Sequence, residues 1–483
     1  MSARPLAHSS LALALLVGAC GPSEKTSAAA GHQVRVQPPA GTDAPVPAAS
    51  PEPTVSFAER DREYPFYMPM TGLHRPAIRL FITCDASRAA GKEVYRGQNA
   101  ASLYGRAEGG YEFVYEALDG AGQPCIYPFA PFQPSISGNL QGTQYIYRSS
   151  IPGRRVTFRT NDPWASIDFR AFDIGQNRVH FEMRDIALDF PGAIQAMGAL
   201  HIEAFGGTRP GLFTAVIRRS SFFGGKNAIF VPAGQTMLYI EDSEVTGNVG
   251  TNTDQEHGTY INGTLVTHIK NSRWHGQRGW ENQASGHQLK DKAYLRIYEN
   301  LDVSNAPGPT VPSAMPLIDA SAYGFTWSNN LRLNRVQPVQ APRDALVDLR
   351  SDMLYGAPDI YPWSVLAGGG WRMPATPLTV LGNVYLSVFL NTSVQSFRTE
   401  PFIFRLSPQG RALNPANSGV LLTDTTSRAD QRMVSLAFHT TGPVARVYSS
   451  DGWTYTDPRL PAGAQWVLDR DAFIRHALGL IGR

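Results

Sequence analysis

Six short segments between residues 180 and 335 constrain this chain more than any other feature. They read HFEMRDIALDF (180–190), AVIRRSSFFGG (215–225), LYIEDSEVTGN (238–248), VTHIKNSRWHG (266–276), LRIYENLDVSN (295–305) and FTWSNNLRLNR (325–335). Each has an apolar residue, a polar corner of two or three residues, and an alternating pair often closed by Gly or Asn. With Met183, Ile217, Ile240, Ile269, Ile297 and Trp327 taken as equivalent, their positions advance by 34, 23, 29, 28 and then 30. Helical periodicity is nearly absent here. A repeat of this length built from strands and turns predicts a parallel β-helix, in which one coil buries its inward residues only by stacking on the next. Corner residues such as Asn271 and Asn300 would then bond along the stack. A β-propeller, with blades of about 40–45 residues, is disfavoured by the shorter steps.

The repeat is clearest over residues 155–340, and the predicted coil domain spans 151–400. Residues 57–150 lack the repeat and hold aromatics, prolines and two cysteines; they read as an N-terminal cap. Residues 401–483 read as an irregular C-terminal extension of strands and a short helix. That helix is expected over LDRDAFIRHALGLI (468–481), with Phe473, Ala477 and Leu480 on one face. The fold class expected is therefore all-β: a single-stranded right-handed parallel β-helix with a cap at one end. Cys84 and Cys125 are expected to form a disulfide, because a pair is favoured over two free thiols in an oxidising compartment.

That compartment follows from the N-terminus. Arg4 precedes a short apolar run, LALALLV (11–17), too brief to span a bilayer and suited to a signal peptide. It ends in LVGAC (16–20), which resembles the lipobox of bacterial lipoproteins. The resemblance implies removal of residues 1–19 and lipidation of Cys20; Gly21, rather than Asp, then implies the outer membrane, facing the periplasm or the cell surface. Residues 20–56, rich in Ala, Pro, Ser and Gly, read as a disordered tether. The formal net charge of +3 on 483 residues gives no support to nucleic-acid binding.

The runs above, with EHGTYING (256–263) followed by GHQLKDKA (286–293), resemble the right-handed β-helices of the pectin-lyase-like superfamily. Related sequences pair an EHNIY-like segment with a GHxxK-like segment one coil later. The resemblance implies an exported bacterial protein acting on polysaccharide. The interval from Gly258 to Gly286 equals that from Ile269 to Ile297, and it sets GTYIN beside GHQLK, with LID (317–319) on the next coil. Ile261, Leu289 and Ile318 then stack inward. Period-two alternation sends Tyr260, Asn262, Gln288, Lys290 and Asp319 to the outer wall, with Asn262, Lys290 and Asp319 in one column. His287 aligns with Thr259 on the inward side. His257 and Glu256 sit at the preceding corner.

Lysine, tyrosine and histidine on an outer groove suit a polysaccharide lyase. Elimination removes the proton α to a uronate carboxylate and needs a base, an acid, and a group that stabilises the charge that builds on the carboxylate. The candidate catalytic residues are Lys290, Tyr260, His257 and His287. The candidate substrate-binding residues are Arg278, as a two-pronged carboxylate grip, Trp280, as a stacking platform, and Asn262, Asp319 and Gln288. A surface ion pair of Lys290 with Asp319 or Asp291, a loop-covered tyrosine and satisfied histidines are the bland counterparts. His180, His201, His268 and His275 read as structural. Two further classes stand beside the lyase: a non-catalytic exopolysaccharide-binding or secretion-assisting protein, and a glycoside hydrolase. The hydrolase draws on NTD (252–254), but Asp254 and Glu256 share one corner and cannot flank a bond alone. Asp254, Glu256 and Asp319 carry oxygens of the kind calcium takes, without a calcium-loop motif.

Overall fold

The computed structural model describes residues 78–94, 110–129, 135–137, 143–172, 178–205, 212–232, 236–249, 256–262, 264–275, 286–304, 317–320, 324–335, 347–350, 385–396, 404–407, 418–423, 426–428, 446–449, 454–455 and 470, 471, 473, 474 and 477. They form a single-stranded right-handed parallel β-helix. Three sheets run along it, of fourteen, ten and nine strands among the described residues, here sheets 1, 2 and 3. From Gly110–Tyr115 to Phe404–Ser407 each coil gives one strand to each sheet in turn. Sheet 1 carries Arg178–Arg184, Leu212–Arg218, Thr236–Glu241, Val266–Lys270 and Leu295–Glu299 as consecutive neighbours. The ladder reaches beyond the segment in which the repeat is legible: Ile78–Thr83, Gly110–Tyr115 and Thr143–Ser149 belong to sheet 1 as well. Cys84 and Cys125 are joined by a disulfide, with Cα atoms 5.8 Å apart.

The lumen explains the repeat. Met183, Ile217, Ile240 and Ile269 oppose one another on successive strands and are fully buried. Full burial of each such side chain contributes roughly 1.5–3 kcal/mol. The next step departs from the expected register. Ile269 opposes Tyr298, and Ile297 opposes His268 and Trp327. A coil one residue longer than the spacing suggested turns Ile297 and Trp327 to the outer face, since side chains alternate with period two. Thr267, Arg296 and Thr326 point into the lumen instead. There Arg296, fully buried, donates to Thr326 Oγ1 (2.9 Å) and to the Ala293 carbonyl (3.0 Å). Buried Asp291 accepts from the Ala293 amide (2.9 Å) and the Tyr298 hydroxyl (2.8 Å).

The displaced outer face has its own cover. Arg470, Asp471, Phe473, Ile474 and Ala477 are helical, and Phe473, Ile474 and Ala477 are buried. The Phe473 ring lies 5.9 Å from Phe325 and 5.4 Å from Trp327, and Arg470 pairs with Glu299. Leu480 lies outside the described residues.

In seven coils among the described residues, the corner between sheets 1 and 2 holds one non-glycine residue in the left-handed region: Asp185, Arg219, Asp242, Asn271, Asn300, Asn330 and Asn391, with φ between 47° and 55°. Asn and Asp tolerate that conformation best among residues with a Cβ. Asn300 Nδ2 donates to Asn271 Oδ1 (2.8 Å) and Asn330 Nδ2 to Asn300 Oδ1 (2.7 Å), the stacked corner bonds expected from the sequence. A second ladder sits one residue on. Ser220, Ser243 and Ser272 each donate to the carbonyl two residues earlier, and Ser243 and Ser272 accept the amides of Ser220 and Ser243.

Candidate functional site

Sheet 3 carries the site. Its neighbouring strands Ile167–Phe172, Gly198–Phe205, Asn227–Val231, Thr259–Ile261, Leu289–Asp291 and Ile318–Asp319 align Asp168, His201, Phe230, Tyr260, Lys290 and Asp319 in one outward column. Inward neighbours confirm the parity: Ile229, Thr259, Leu289 and Ile318 align and are buried, and Trp274 Nε1 donates to Thr259 Oγ1 (2.8 Å) inside the coil.

The glycine spacing gave the right faces and the wrong pairs. The coil is two residues longer than the glycine interval, so Tyr260 opposes Lys290 directly and Ile261 opposes Asp291. The predicted Ile261–Leu289 pairing is replaced by Thr259–Leu289, while Leu289–Ile318 stands. An even slip of two residues preserves side-chain direction. Asn262 is half-buried beside the column rather than in it, and its amide donates to the Val231 carbonyl. Gly286 bonds back to Glu256, not to Gly258. Both glycines are needed where coils touch: a Cβ on Gly258 would lie 2.5 Å from the Gln288 carbonyl oxygen, and one on Gly286 would lie 2.2 Å from His257 Nδ1.

His287 is corrected as well: the slip removes its alignment with Thr259, and because it precedes the strand Leu289–Asp291 the alternation that turned it inward does not reach it. It stacks on His257, with ring centres 5.1 Å apart and planes at 28°, and its Nε2 stands 3.2 Å from Asp319 Oδ2. It is thus fully buried on the side of Asp319, not aligned with Thr259. Gln288 and Asp319 are buried as well, so neither is the open outer-wall side chain expected of it. Asp319 instead sits between His287 and Lys290, whose Nζ is 4.0 Å away.

Three predicted catalytic residues do come together. The Lys290 ammonium lies 5.3 Å from the centre of the Tyr260 ring, and the His257 ring lies 5.3 Å from it, edge-on. Tyr260 and Lys290 are half-buried, whereas Asp168, His201, Phe230 and Asp319 are all buried. The column therefore opens at the predicted pair. His257 is held tightly: its amide donates to Asn227 Oδ1 (2.9 Å) and its Nδ1 accepts the His287 amide (3.0 Å). Burial, followed by the charges of His287 and Lys290 and against that of Asp319, keeps its pKa well below the ordinary 6.5. With Nδ1 accepting, the neutral ring carries its proton on Nε2.

The sequence reading missed Lys292. Its ammonium lies 5.8 Å from the Tyr260 ring centre, and the side chain is buried. Period-two alternation from Lys290 was the available signal. It also set His201 aside, which lies between two carboxylates: Nδ1 is 3.1 Å from Asp168 and Nε2 is 3.2 Å from Glu203. Its ring packs 5.0 Å from Phe230, which in turn meets Tyr260 at 5.7 Å. Arg278, Trp280 and Asp254 lie outside the described residues, as do Cys20 and the tether. Glu256 is buried. Among the described residues no group of three or more His, Cys, Asp or Glu side chains is arranged to hold a metal ion. No protein-family model matches this chain, and no curated protein or solved structure matches it significantly.

Proposed function

We propose that this chain acts on an acidic polysaccharide outside the cytoplasm and cleaves it by β-elimination at the opening over Tyr260 and Lys290. The observation that carries the reading is the meeting of Tyr260, Lys290 and His257 from successive coils at the open stretch of an otherwise covered column. In the reaction a base takes the proton α to a uronate carboxylate and that electron pair becomes a carbon–carbon double bond. The bond to the glycosidic oxygen breaks, and the oxygen takes a proton from an acid. Lys290 is suited to hold the negative charge that builds on the carboxylate. Tyr260 is suited to carry the proton. Lipidation at Cys20 and a flexible tether to the outer membrane complete the proposal, following the LVGAC resemblance.

One observation favours a second reading. The Lys290 ammonium already stands 4.0 Å from buried Asp319, an arrangement that suits capture of sugar without turnover. Incubation with a panel of uronate polymers separates the two. Elimination raises ultraviolet absorbance from unsaturated ends, and capture gives binding with no such rise.

A further inference from the structure

The corner between sheets 2 and 3 reverses the usual use of small and large side chains in two successive coils. It is made by PWA (163–165) and AIQAM (193–197). Ala165, Ala193 and Ala196 are buried there, whereas Trp164 is 63% exposed, Ile194 43% and Met197 44%. These are three of the six exposed large apolar residues among the described residues, so the exposure is gathered at one place rather than scattered. The two segments are fixed to each other. The Gln195 and Ala196 amides both donate to the Pro163 carbonyl (2.8 and 3.1 Å), and the Trp164 amide donates to Asp162 Oδ1 (2.8 Å). On the next coil the amide and side chain of Asn227 donate to the Met197 carbonyl (3.0 and 2.9 Å). The patch is therefore preformed, on a convex ridge where two sheets meet. Charges of both signs border it: exposed Arg159 is paired with Asp189 at 2.8 Å, and Asp162 and Lys226 are half-buried.

We propose that Trp164, Ile194 and Met197 form a membrane-docking patch that dips into the interfacial layer of a lipid bilayer and fixes how the coil lies against it, which rests on the lipid anchor at Cys20 proposed above. Tryptophan suits the boundary of lipid and water, with an apolar ring and an N–H that can stay wet. Isoleucine and methionine add apolar area beside it. A convex ridge enters a soft bilayer directly, whereas a protein partner would have to supply a matching pocket. An acyl anchor keeps the bilayer within a tether's reach, so a patch too small for tight binding alone is engaged through effective concentration. Because the bordering charges cancel, apolar burial rather than attraction to anionic headgroups drives the docking.

The test is co-sedimentation of the full chain carrying Cys20→Ser, which cannot be lipidated, with phosphatidylcholine vesicles and with vesicles that also contain phosphatidylglycerol. Residues 11–17 are common to every variant, so differences between variants report the patch. The chain with its patch intact should bind both kinds of vesicle, with little change between low and high salt. Trp164→Ser with Met197→Ser should bind about tenfold or more weakly, as expected for apolar area withheld from lipid. Its thermal midpoint should be unchanged, because both side chains stand in solvent. Phe81→Ser, which removes an apolar side chain 45% exposed on sheet 1, should leave binding as it was. No binding to either vesicle, equal binding by the double variant, or an equal loss in Phe81→Ser overturns the proposal. A uronate trisaccharide bound by the intact patch and lost from the double variant would assign the patch to sugar, and self-association abolished in the double variant would assign it to a second copy; each overturns it too. Mass spectrometry of the Cys20 peptide of the unsubstituted chain from a bacterial host checks the anchor separately. Patch-dependent vesicle binding with an unacylated Cys20 would remove the anchor and leave the patch, and an acylated Cys20 without such binding would sink the patch alone.

Discussion

Tyr260 and Lys290 oppose each other on adjacent coils, and the Lys290 ammonium lies 5.3 Å from the centre of the Tyr260 ring. The pairing makes each residue's position depend on the other's strand. Lys290→Ala and Tyr260→Phe should each lower the rate of unsaturated-uronate formation by about 10²–10⁴-fold, the range for loss of a positioned proton-transfer or charge-stabilising group. Neither change empties the lumen, so thermal midpoints should stay close to that of the parent chain. Parallel assays of absorbance and melting decide the point. A loss of rate that tracks a loss of fold would remove both residues from the chemistry.

Gly286→Ala should damage the site through the backbone. The added Cβ would meet His257 Nδ1 at 2.2 Å and the Glu256 carbonyl oxygen at 2.3 Å. One of these atoms belongs to the main chain of the neighbouring coil and cannot swing aside. Overpacking of this kind costs about 1–3 kcal/mol, with more where backbone must move. The expected outcome is a lowered thermal midpoint together with lost uronate binding. An unaltered midpoint would show that the coils separate there without cost.

How far the sequence could be read depended on whether an error in coil length was odd or even. At Gly258 and Gly286 the inferred step was two residues short, and Tyr260 and Lys290 still faced outward with only their partners changed. At Ile269 the error was a single residue, and Ile297 and Trp327 went to the wrong face. No local signal separates these cases, because Ile297 and Trp327 are as apolar as lumen residues. What packs on Trp327 is a helix from the far C-terminal part of the chain, around Phe473. The Asn271–Asn300 corner was legible because Asn suits the left-handed region. The corner was hidden at Arg219, which holds the same conformation while its guanidinium grips Asp185 at 2.8 and 2.9 Å. Lys292 was missed for a simpler reason: the alternation that places it beside Tyr260 continues past the end of the GHQLK motif.

Asn300→Ala should destabilise more than Asn300→Gly. Asn300 has φ 52°, where a residue with a plain Cβ carries strain of roughly 1–2 kcal/mol. Its side chain also donates to Asn271 and accepts from Asn330. Alanine loses both the conformation and the ladder, and glycine loses the ladder alone. Urea unfolding of the two variants should rank them in that order. Equal losses would mean that the side-chain ladder, not the backbone, sets the corner's contribution.

Stability should fall on mild acidification, with His257 contributing. Burial holds its folded pKa well below the 6.5 it has when unfolded. Above 6.5 both states are neutral and the site is fully stable. As pH drops below 6.5 the unfolded chain takes up a proton that the folded chain refuses, and stability declines by up to about 1.4 kcal/mol per pH unit. Glu244 acts in the same direction further down. The hydrogen bond from His275, against burial and with help from Arg155, lowers its pKa to about 2, so its contribution is complete above 4.5 and is lost toward 2. Urea midpoints between about pH 8 and 5 should fall for the parent chain and fall less for His257→Gln. Parallel slopes would show that His257 is not the proton acceptor.

Phe473→Asp should turn a stable chain into an aggregating one without touching the site. Leu295, Ile297, Phe325 and Trp327 face outward on sheet 1 and are buried, two of them against Phe473. A carboxylate there would have to be buried unpaired or expel the helix, and expulsion is the cheaper outcome. Four large apolar side chains would then form one exposed stripe along neighbouring strands, a surface prone to association. Light scattering should rise with protein concentration for Phe473→Asp and not for Arg470→Ala. The second change removes the ion pair to Glu299 and leaves the apolar contact in place. Uronate binding by the soluble fraction should match the parent, because the helix and the Tyr260 opening lie on different sheets. Matching monodispersity of the two variants would show that the stripe is covered by something other than the Phe473 helix.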